Sequence, residues 1–283
     1  PRRAGRRGGR VPAGAAWEMA GGRLILKLPP APQGARFQVS LARLAGDQER
    51  NVLAPLRKEK ILDLSPWTRG GPPRWPLVLE TKGTVGQPAA QAPYAVDDIT
   101  APVRNPWNAS IRFGGVDFFA DGRAALSTWD GDVWIVSGLD HKLDQVRWRR
   151  FAAGLHQPLG LKIIDGVLYT AGRDQITRLH DLNGDGEADY YENFNHDAGL
   201  TLQRHEFVMD LHTDADGQLY YCRSGHYHPS RLGTNCCVFK LSSDGSKLTV
   251  LARGFREPNG MSVGPGGGMT VGLEHRLVFG FAG

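Results

Sequence analysis

The stretch LGLKIIDGVLYTAGRDQITRLHD, residues 159–181, carries the pattern that decides the fold. A small residue is followed by an alternating apolar run, an Asp-Gly pair and a second apolar run. Asp-Gly between two such runs favours a β-hairpin, because a type I′ turn needs positive φ at both central residues. The stretch therefore predicts antiparallel strands joined by a tight turn.

The same pattern occurs three more times, in GGVDFFADGRAALSTWDGDVWIVS (114–137), VMDLHTDADGQLYYCRSG (208–225) and NGMSVGPGGGMTVG (259–272). Its turn glycines, Gly122, Gly166, Gly217 and Gly268, recur every 44 to 51 residues. Repeats of about 40–50 residues with four short strands each are typical of β-propeller blades. We predict an all-β protein, a β-propeller with at least four recognisable blades that is incomplete at its C-terminus.

The chain of 283 residues divides into three predicted parts. Residues 1–16 begin with PRRAGRRGGR, which holds five arginines and no acid and predicts a disordered tail. Residues 17–100 form a β-rich N-terminal region, with candidate strands in RLILKLPP and RFQVSLARL and a Pro-rich linker. Residues 101–283 form the partial propeller. Its four repeats cover most of that span.

Charge and hydropathy exclude two classes of partner. The formal charge of +5 comes from the arginine tail, because the remaining chain carries 29 basic and 29 acidic residues. We therefore predict no nucleic-acid partner. No run approaches the ~18 apolar residues of a membrane span, so no transmembrane segment is predicted. The chain starts with Pro and shows no signal segment, so either a signal was removed or the chain is an internal fragment.

The stretch HDLNGDGEADYYENF, residues 180–194, has the spacing of a calcium loop. Gly186 lies at position 6 and permits the sharp reversal. The oxygen donors at positions 1, 3, 5, 7, 9 and 12 are Asp181, Asn183, Asp185, Glu187, Asp189 and Glu192. The flanks are β-branched and aromatic, so this loop joins two strands of the second blade instead of two helices. We predict Ca²⁺ ligation by Asp181, Asn183, Asp185 and Asp189 side chains and by the Glu187 carbonyl. A polar turn with solvated acids is the alternative.

Three turns that lead into inner strands hold candidate ligand-binding residues. His205 precedes the third blade, and a histidine there can act as a general base near neutral pH. Arg256 and Asn259 precede the fourth blade, where a cation can stabilise developing negative charge. His156 and Gln157 precede the second blade. The alternative for His205 is an ordinary hydrogen-bonded loop histidine. The alternative for Arg256 and Asn259 is a structural contact that joins two blades.

The cysteines Cys222, Cys236 and Cys237 include no CxxC pair and no CxxCH haem motif. Two hypotheses stay open for the stretch SGHYHPSRLGTNCC. His226, His228 and the vicinal cysteines ligate a metal, or Cys222 forms a disulfide with one of the vicinal pair.

The stretches RFGGVDFFADGRAALSTWDGDVWIVSGLD, QPLGLKIIDGVLYTAGRDQITRLHDLNGDGEADYYENF and GFREPNGMSVGPGG resemble the propeller region of large secreted proteins from Planctomycetes and Verrucomicrobia. Those proteins are often named membrane-bound dehydrogenases or haem-binding-domain proteins. The resemblance covers about residues 17–283. It implies a periplasmic or extracellular location in the cell envelope. It also implies a c-type cytochrome domain downstream, with haem c absent from this chain.

More distantly, the propeller resembles soluble pyrroloquinoline-quinone (PQQ) sugar dehydrogenases. His205 before DADGQLYY falls within one residue of that family's histidine base. Arg256 in REPNG matches its arginine over the quinone, although Glu257 replaces an asparagine of the motif, and Asn259 lies in the same turn. The resemblance implies PQQ as cofactor and oxidation of a sugar or polyol. The family's other cofactor-binding residues belong to blades beyond residue 283.

The leading functional prediction is thus a propeller module of a cell-envelope oxidoreductase, similar to quinone-dependent sugar and polyol dehydrogenases, that passes electrons to a c-type cytochrome. The alternative is a non-catalytic, calcium-stabilised propeller that binds a glycan or a protein partner.

Overall fold

The computed structural model describes residues 13–30, 37, 39, 55, 62–88, 94–200, 205–225, 235–255, 257–264, 268–273 and 276–281. The chain forms two compact units, residues 1–66 and 67–283. In the described part of the chain no helix is long and apolar enough to cross a membrane. Apart from Phe37 and Val39, the predicted strand in RFQVSLARL lies outside the described residues, as do the tail residues 1–12.

Beyond the 3-10 helix Ser65–Thr68, every regular element among the described residues is a β-strand. In the first unit the strands are β1 (Ala16–Ala20) and β2 (Arg23–Lys27). In the second unit they are β3 (Val78–Thr81), β4 (Gly83–Thr84), β5 (Asp98–Ile99), β6 (Phe113–Phe118), β7 (Ala124–Thr128), β8 (Val133–Ser137), β9 (Val146–Ala152), β10 (Gly160–Ile164), β11 (Val167–Ala171), β12 (Ile176–His180), β13 (Tyr190–Asn195), β14 (Val208–Thr213), β15 (Leu219–Arg223), β16 (Cys237–Leu241), β17 (Leu248–Arg253), β18 (Met261–Val263), β19 (Gly268–Leu273) and β20 (Arg276–Phe281).

The strands of the second unit pair as four successive antiparallel meanders, one for each sequence repeat. The sheets run in the orders β6-β7-β8-β9, β10-β11-β12-β13, β14-β15-β16-β17 and β18-β19-β20. The first strands of the blades, β6, β10, β14 and β18, lie side by side in that order. Sheets that share an axis along their first strands are the blades of a β-propeller. The predicted all-β propeller is confirmed.

The first blade has a fifth strand at its outer edge. Strand β3, which the sequence analysis placed in the N-terminal region 17–100, pairs antiparallel with β9 and makes a fifth strand of this sheet. Val78 lies opposite Arg149, and Thr81 opposite Val146. The Thr81 hydroxyl also accepts a 2.8 Å hydrogen bond from the indole of Trp148. The segment that follows residue 67 is therefore part of the propeller unit.

The hairpin turns follow the Asp-Gly signals in three repeats. Gly122, Gly166 and Gly217 have φ values of +83°, +78° and +73°, which only glycine adopts readily. In the fourth repeat Gly268 is instead the first residue of β19, and its carbonyl accepts a hydrogen bond from Gly264. A run of glycines offers no single turn position, so the spacing placed this turn a few residues late.

The core consists of apolar layers between neighbouring blades. Leu161, Leu168 and Leu179 of the second blade pack on Ile135 and Phe151 of the first. A matching layer from Tyr169, Ile176, Leu211, Tyr221 and Phe239 joins the second blade to the third. Burying one such side chain contributes about 1.5–3 kcal/mol. Blade-to-blade packing therefore holds the inner strands in register around the axis.

Antiparallel pairing assigns each loop to one of two ends of the ring. We call the end where the inner strands begin the upper end; it also holds the loops between second and third strands. The opposite, lower end holds the loops from first to second and from third to fourth strands. Residues 153–159, 196–207 and 254–260 lead into inner strands at the upper end. The loop 181–189, between β12 and β13, lies at the lower end.

Candidate functional site

The loop 181–189 is built around the carboxylate of Asp181. Its Oδ1 accepts the N–H of Gly184 at 2.7 Å, and its Oδ2 accepts the N–H of Gly186 at 2.8 Å. Gly186 has a φ of +83°, as the predicted reversal requires. The strands β12 and β13 flank the loop, so no helix takes part. The predicted position of this loop within a blade is confirmed.

In the middle of the loop, two more side chains accept backbone N–H groups. Asn183 Oδ1 accepts the N–H of Asp185 at 3.0 Å, and Asp185 Oδ1 accepts the N–H of Glu187 at 3.0 Å. Asn183 Nδ2 donates to Asp185 Oδ2 at 3.1 Å. Short polar side chains that accept backbone N–H groups two residues onward fix such turns without help from neighbouring strands.

A segment from before the first blade lies against this loop; we call residues 70–75 the strap. Gly71 N donates to Asp189 Oδ1 at 3.0 Å, and Asn183 Nδ2 donates to Gly71 O at 2.8 Å. A Cβ atom at Gly70 would come within 2.6 Å of Asp189 Oδ2, and φ there is +83°. Only glycine fits this approach, which the sequence analysis did not foresee.

The side chain of Glu187 turns toward the strap and away from the loop interior. Oε1 accepts from Arg74 Nε at 2.6 Å, and Oε2 accepts the N–H groups of Arg74 and Trp75 at 2.6 and 3.0 Å. The hydrogen bond to Glu187 raises the pKa of Arg74 above its usual value. The carboxylate of Glu187 is thus occupied by the strap, and the role of its main-chain carbonyl as a calcium ligand stays a prediction.

Arg149 supplies a positive charge on the inner side of the loop. Its guanidinium lies against Gly186, where a Cβ atom would approach Cζ to 2.6 Å, and Nη2 donates to the carbonyl of Asp185. Together with Arg123 and His180 it lines a cleft of about 530 Å³ between the first and second blades. Arg149 thus contacts the loop at its main chain.

The donor set of the loop suits Ca²⁺, which prefers hard oxygen ligands. Each carboxylate oxygen has two lone pairs, so one that accepts a single N–H keeps one for a cation. Among the described residues, however, no three His, Cys, Asp or Glu side chains converge on a common point as a metal centre would need. Ligation by Asp181, Asn183, Asp185 and Asp189 therefore requires a rearrangement of these side chains. The calcium site stays a prediction.

Glu192, position 12 of the loop pattern, points to its own sheet. Its Oε2 lies 2.7 Å from His180 Nε2 and 3.3 Å from Arg178 Nη1. The hydrogen bond to His180 lowers the pKa of Glu192. Strand β13 directs this side chain away from the loop, so Glu192 does not complete the donor set.

The upper end carries the predicted base and cofactor residues. His205 is exposed, and its carbonyl accepts a 2.8 Å hydrogen bond from the hydroxyl of Ser224. Asn259 is also exposed, and its N–H donates to Gly272 O at 2.9 Å. Gln157 accepts from Arg173 at 3.3 Å. Arg256 lies outside the described residues. The catalytic and cofactor-binding roles of these residues stay predictions.

The cysteine predictions divide between what the structure describes and what it does not. Cys222, Cys236 and Cys237 are buried and form no disulfide with one another, so the predicted disulfide between Cys222 and a vicinal cysteine is wrong. Cys222 Sγ instead lies 3.6 Å from the carbonyl of Met209, and Cys236 Sγ donates to Gly225 O at 3.0 Å. Burial raises the pKa of Cys236 and Cys237. His226 and His228 lie outside the described residues.

Polar side chains on the inner strands were not predicted as candidate site residues from the sequence. Asp117 Oδ2 contacts Lys162 Nζ at 2.9 Å and accepts the N–H of Ile163 at 2.8 Å. Burial raises the pKa of Asp210 and lowers the pKa of His212. A signal was present, since each repeat places a polar residue after an apolar one on its inner strand, and in three of the four a second apolar residue follows. The hairpin pattern alone describes those strands only as apolar runs.

No known sequence-family profile and no curated protein matches this chain. Solved structures do match. An enzyme of carbohydrate-active family AA12 from Trichoderma reesei covers 70% of this chain and 50% of its own, with 12% identity and a TM-score of 0.50. The PQQ domain of pyranose dehydrogenase from Coprinopsis cinerea covers 60% of this chain and 47% of its own, with 10% identity and a TM-score of 0.47.

A gluconolactonase from Xanthomonas campestris covers 58% of this chain and 55% of its own, with 20% identity and a TM-score of 0.41. The chain thus spans about half the length of these three structures. At such identities the likeness shows the fold alone. The similar structures are β-propellers of the gluconolactonase and PQQ-domain kind.

Proposed function

We propose that this chain is the propeller module of a cell-envelope oxidoreductase that oxidises a sugar or polyol with PQQ and passes the electrons to a c-type cytochrome. The observation that carries the proposal is that His205 and Asn259, on loops of two different blades, are both exposed at the upper end of the ring. The residue patterns of blades two to four, which resemble secreted dehydrogenases and PQQ sugar dehydrogenases, support it.

The two described positions are compatible with a quinone at this end. His205 and Asn259 are accessible, and their main-chain hydrogen bonds hold the loops that carry them. When bound, PQQ supplies an electrophilic carbonyl that accepts a hydride. His205 would accept the proton of the substrate hydroxyl at a ring nitrogen, and Asn259 would orient the ligand. A general base at this position contributes about 10²–10⁴-fold to the rate.

The first test is the reading frame beyond residue 283. The proposal expects a CxxCH motif and further blades with a lysine at the upper end. If both are missing, the alternative of a non-catalytic propeller that binds a glycan or a protein is favoured.

The second test is activity of the full-length product, loaded with PQQ and Ca²⁺ and supplied with D-glucose or D-sorbitol and a reducible dye. We expect dye reduction that falls at least a hundredfold in His205→Gln. His141→Gln is the matched control, because His141 is an exposed histidine in a lower-end loop. Equal activity of the two variants would remove His205 from the mechanism, and no activity in the unmutated protein would reject the dehydrogenase.

A further inference from the structure

The inner strands of the four blades share one residue pattern. Each pattern has four positions, of which the first is glycine or Asp, the second is apolar and the third is polar. The four stretches are GVDF (115–118), GLKI (160–163), DLHT (210–213) and GMSV (260–263). The polar positions are Asp117, Lys162, His212 and Ser262. We call these four residues the channel ring, since the strands that carry them lie side by side around the axis.

Close backbone approaches place these patterns at one level. A Cβ atom at Gly115 would come within 2.6 Å of Leu161 N, and one at Gly160 would overlap the carbonyl of Asp210. The first residue of the first two patterns therefore abuts the corresponding part of the next blade. Two members of the ring are in direct contact, because Asp117 Oδ2 lies 2.9 Å from Lys162 Nζ.

Asp210 departs from the residue pattern of the other three blades. The other three blades have glycine at this position, whereas Asp210 adopts a φ of +56°. The pairing of β14 with β15 shifts register between Met209 and His212, so Asp210 sits in a β-bulge. A non-glycine residue in this conformation costs about 1–2 kcal/mol. Strained residues at bulges are frequent at functional sites, where the bulge re-aims a side chain.

The carboxylate of Asp210 also lacks a complete set of partners. Backbone N–H groups of Met261 and Gly260 interact with this carboxylate, but its Oδ2 atom is buried and accepts no hydrogen bond from the part of the chain that the structure describes. A buried acceptor without a donor costs about 1–3 kcal/mol. Strain and an unsatisfied acceptor at one residue oppose folding, and a ligand that donates to Oδ2 would offset the second of them.

We propose that Asp210 and the channel ring form a subsite for a hydroxyl-bearing ligand, a sugar or a polyol, with Asp210 Oδ2 accepting a ligand hydroxyl. This inference rests on the proposed function for the ligand class and adds the residues that recognise it. It lies on the inner strands, one to two residues below the loop ends that carry Asn259 and the segment after His205.

Other ligand classes fit these side chains less well. A metal is disfavoured, because no three His, Cys, Asp or Glu side chains converge among the described residues. An anion is disfavoured, because the Lys162 ammonium is paired with Asp117. A polyol offers a donor to Asp210 and an acceptor to Lys162 or His212 through adjacent hydroxyls. This mixture of donor and acceptor matches the mixture in the ring.

The test separates a ligand residue from a structural strut. Asp210→Gly restores the glycine of the repeat, so it removes both the backbone strain and the buried acceptor. We expect a melting temperature equal to or above that of the unmutated protein. Binding of D-glucose and D-sorbitol, measured by isothermal titration calorimetry on the full-length protein, should weaken roughly ten- to a hundredfold, as for loss of a hydrogen bond to a charged group.

Asp165→Gly is the matched control. Asp165 also has a positive φ, +50°, but lies exposed in the β10–β11 turn, so its replacement relieves strain without touching the ring. Asp210→Asn keeps the shape and the strain and removes only the charge; it should also weaken binding. Unchanged sugar binding in both Asp210 variants overturns the proposal. Absence of binding heat in the unmutated protein rejects the ligand class.

These readouts are independent of dye reduction. Sugar binding that depends on Asp210, in a protein that reduces no dye, supports the subsite and rejects the dehydrogenase. Dye reduction that does not change in Asp210→Asn supports the dehydrogenase and rejects the subsite.

Discussion

Arg74 donates from Nε to Oε1 of Glu187 at 2.6 Å, and this contact joins the strap before the first blade to the lower-end loop of the second. Glu187 is only 5% exposed, and two backbone N–H groups of the strap also donate to its carboxylate. Three donors on one buried carboxylate make the strongest polar contact between the strap and the loop.

Removal of the Glu187 carboxylate should therefore destabilise the propeller unit. We expect Glu187→Ala to lower the free energy of unfolding by about 2–3 kcal/mol, because it leaves the N–H groups of Arg74 and Trp75 without their acceptor. Arg74→Ala should lower it by about 1 kcal/mol, since the Arg74 side chain is largely exposed and both backbone donors remain. Denaturant titration monitored by tryptophan fluorescence measures both values.

Arg147→Ala is the control for this pair. Its ion pair with Glu80 joins β9 to β3, but both side chains are more than half exposed, so the loss should stay below about 0.5 kcal/mol. Similar free energies of unfolding for Glu187→Ala and Arg147→Ala would show that the strap contributes little.

The approach of the strap predicts a steric effect at Gly70. Gly70→Ala places a methyl group 2.6 Å from Asp189 Oδ2, in a backbone conformation with φ of +83°. Gly154→Ala is a matched control, because φ there is +84° and nothing lies within 4 Å of the added Cβ. Both variants carry the backbone strain of about 1–2 kcal/mol. We expect Gly70→Ala to lose at least about 1 kcal/mol more, measured by denaturant titration. Equal losses would contradict the contact.

The sequence predicted the blades because their signal is local. An Asp-Gly turn and alternating apolar residues lie within one hairpin, so repeats at fixed spacing indicate the meanders directly. The loop at Asp181 was predictable for the same reason, since its acceptors and donors lie within six residues. Glu192 shows the limit, because the strand that carries it, and not the loop spacing, decides where it points.

Contacts between distant segments left no such signal. The strap meets the loop across more than 110 positions of sequence, and nothing in GGPPRW specifies that partner. Strand β3 joins β9 from a region whose composition suggested a linker. The ring residue Asp117 contacts Lys162 only because two blades lie adjacent. Such contacts follow from the packing of the blades, which periodicity alone does not supply.

The calcium prediction is tested by calorimetry with and without EDTA. Three acids and Asn183 lie close together in the loop, and a divalent cation would neutralise their repulsion and stabilise the blade by mass action. We expect EDTA to lower the melting temperature, and Asp185→Ala to remove most of that difference while leaving the protein folded at low temperature.

Asp214→Ala separates the calcium effect from loss of a turn. Asp214 also accepts backbone N–H groups, from Asp216 and Gln218, but in the β14–β15 turn. Its replacement should lower the melting temperature equally with Ca²⁺ and with EDTA. Identical transitions of the unmutated protein in both buffers would identify the Asp181 loop as a polar turn without a cation.

The inner strands predict a pH dependence of stability that runs through His212. Burial lowers the pKa of His212 below 6.5, although Asp210 and Asp117 oppose the shift and Lys162 adds to it. Below pH 6.5 the unfolded chain therefore binds a proton at this position that the folded chain does not, so stability falls as the pH falls. Asp210 has the opposite effect, because burial raises its pKa and the folded state then binds the extra proton above pH 3.8. We expect the free energy of unfolding to rise from about pH 5.5 to about pH 7, the interval in which a histidine changes charge. This rise should be smaller in His212→Gln and unchanged in His141→Gln. Denaturant titrations across the interval measure it. An equal slope in the two variants would mean that His212 takes up its proton as readily in the folded protein as in the unfolded chain.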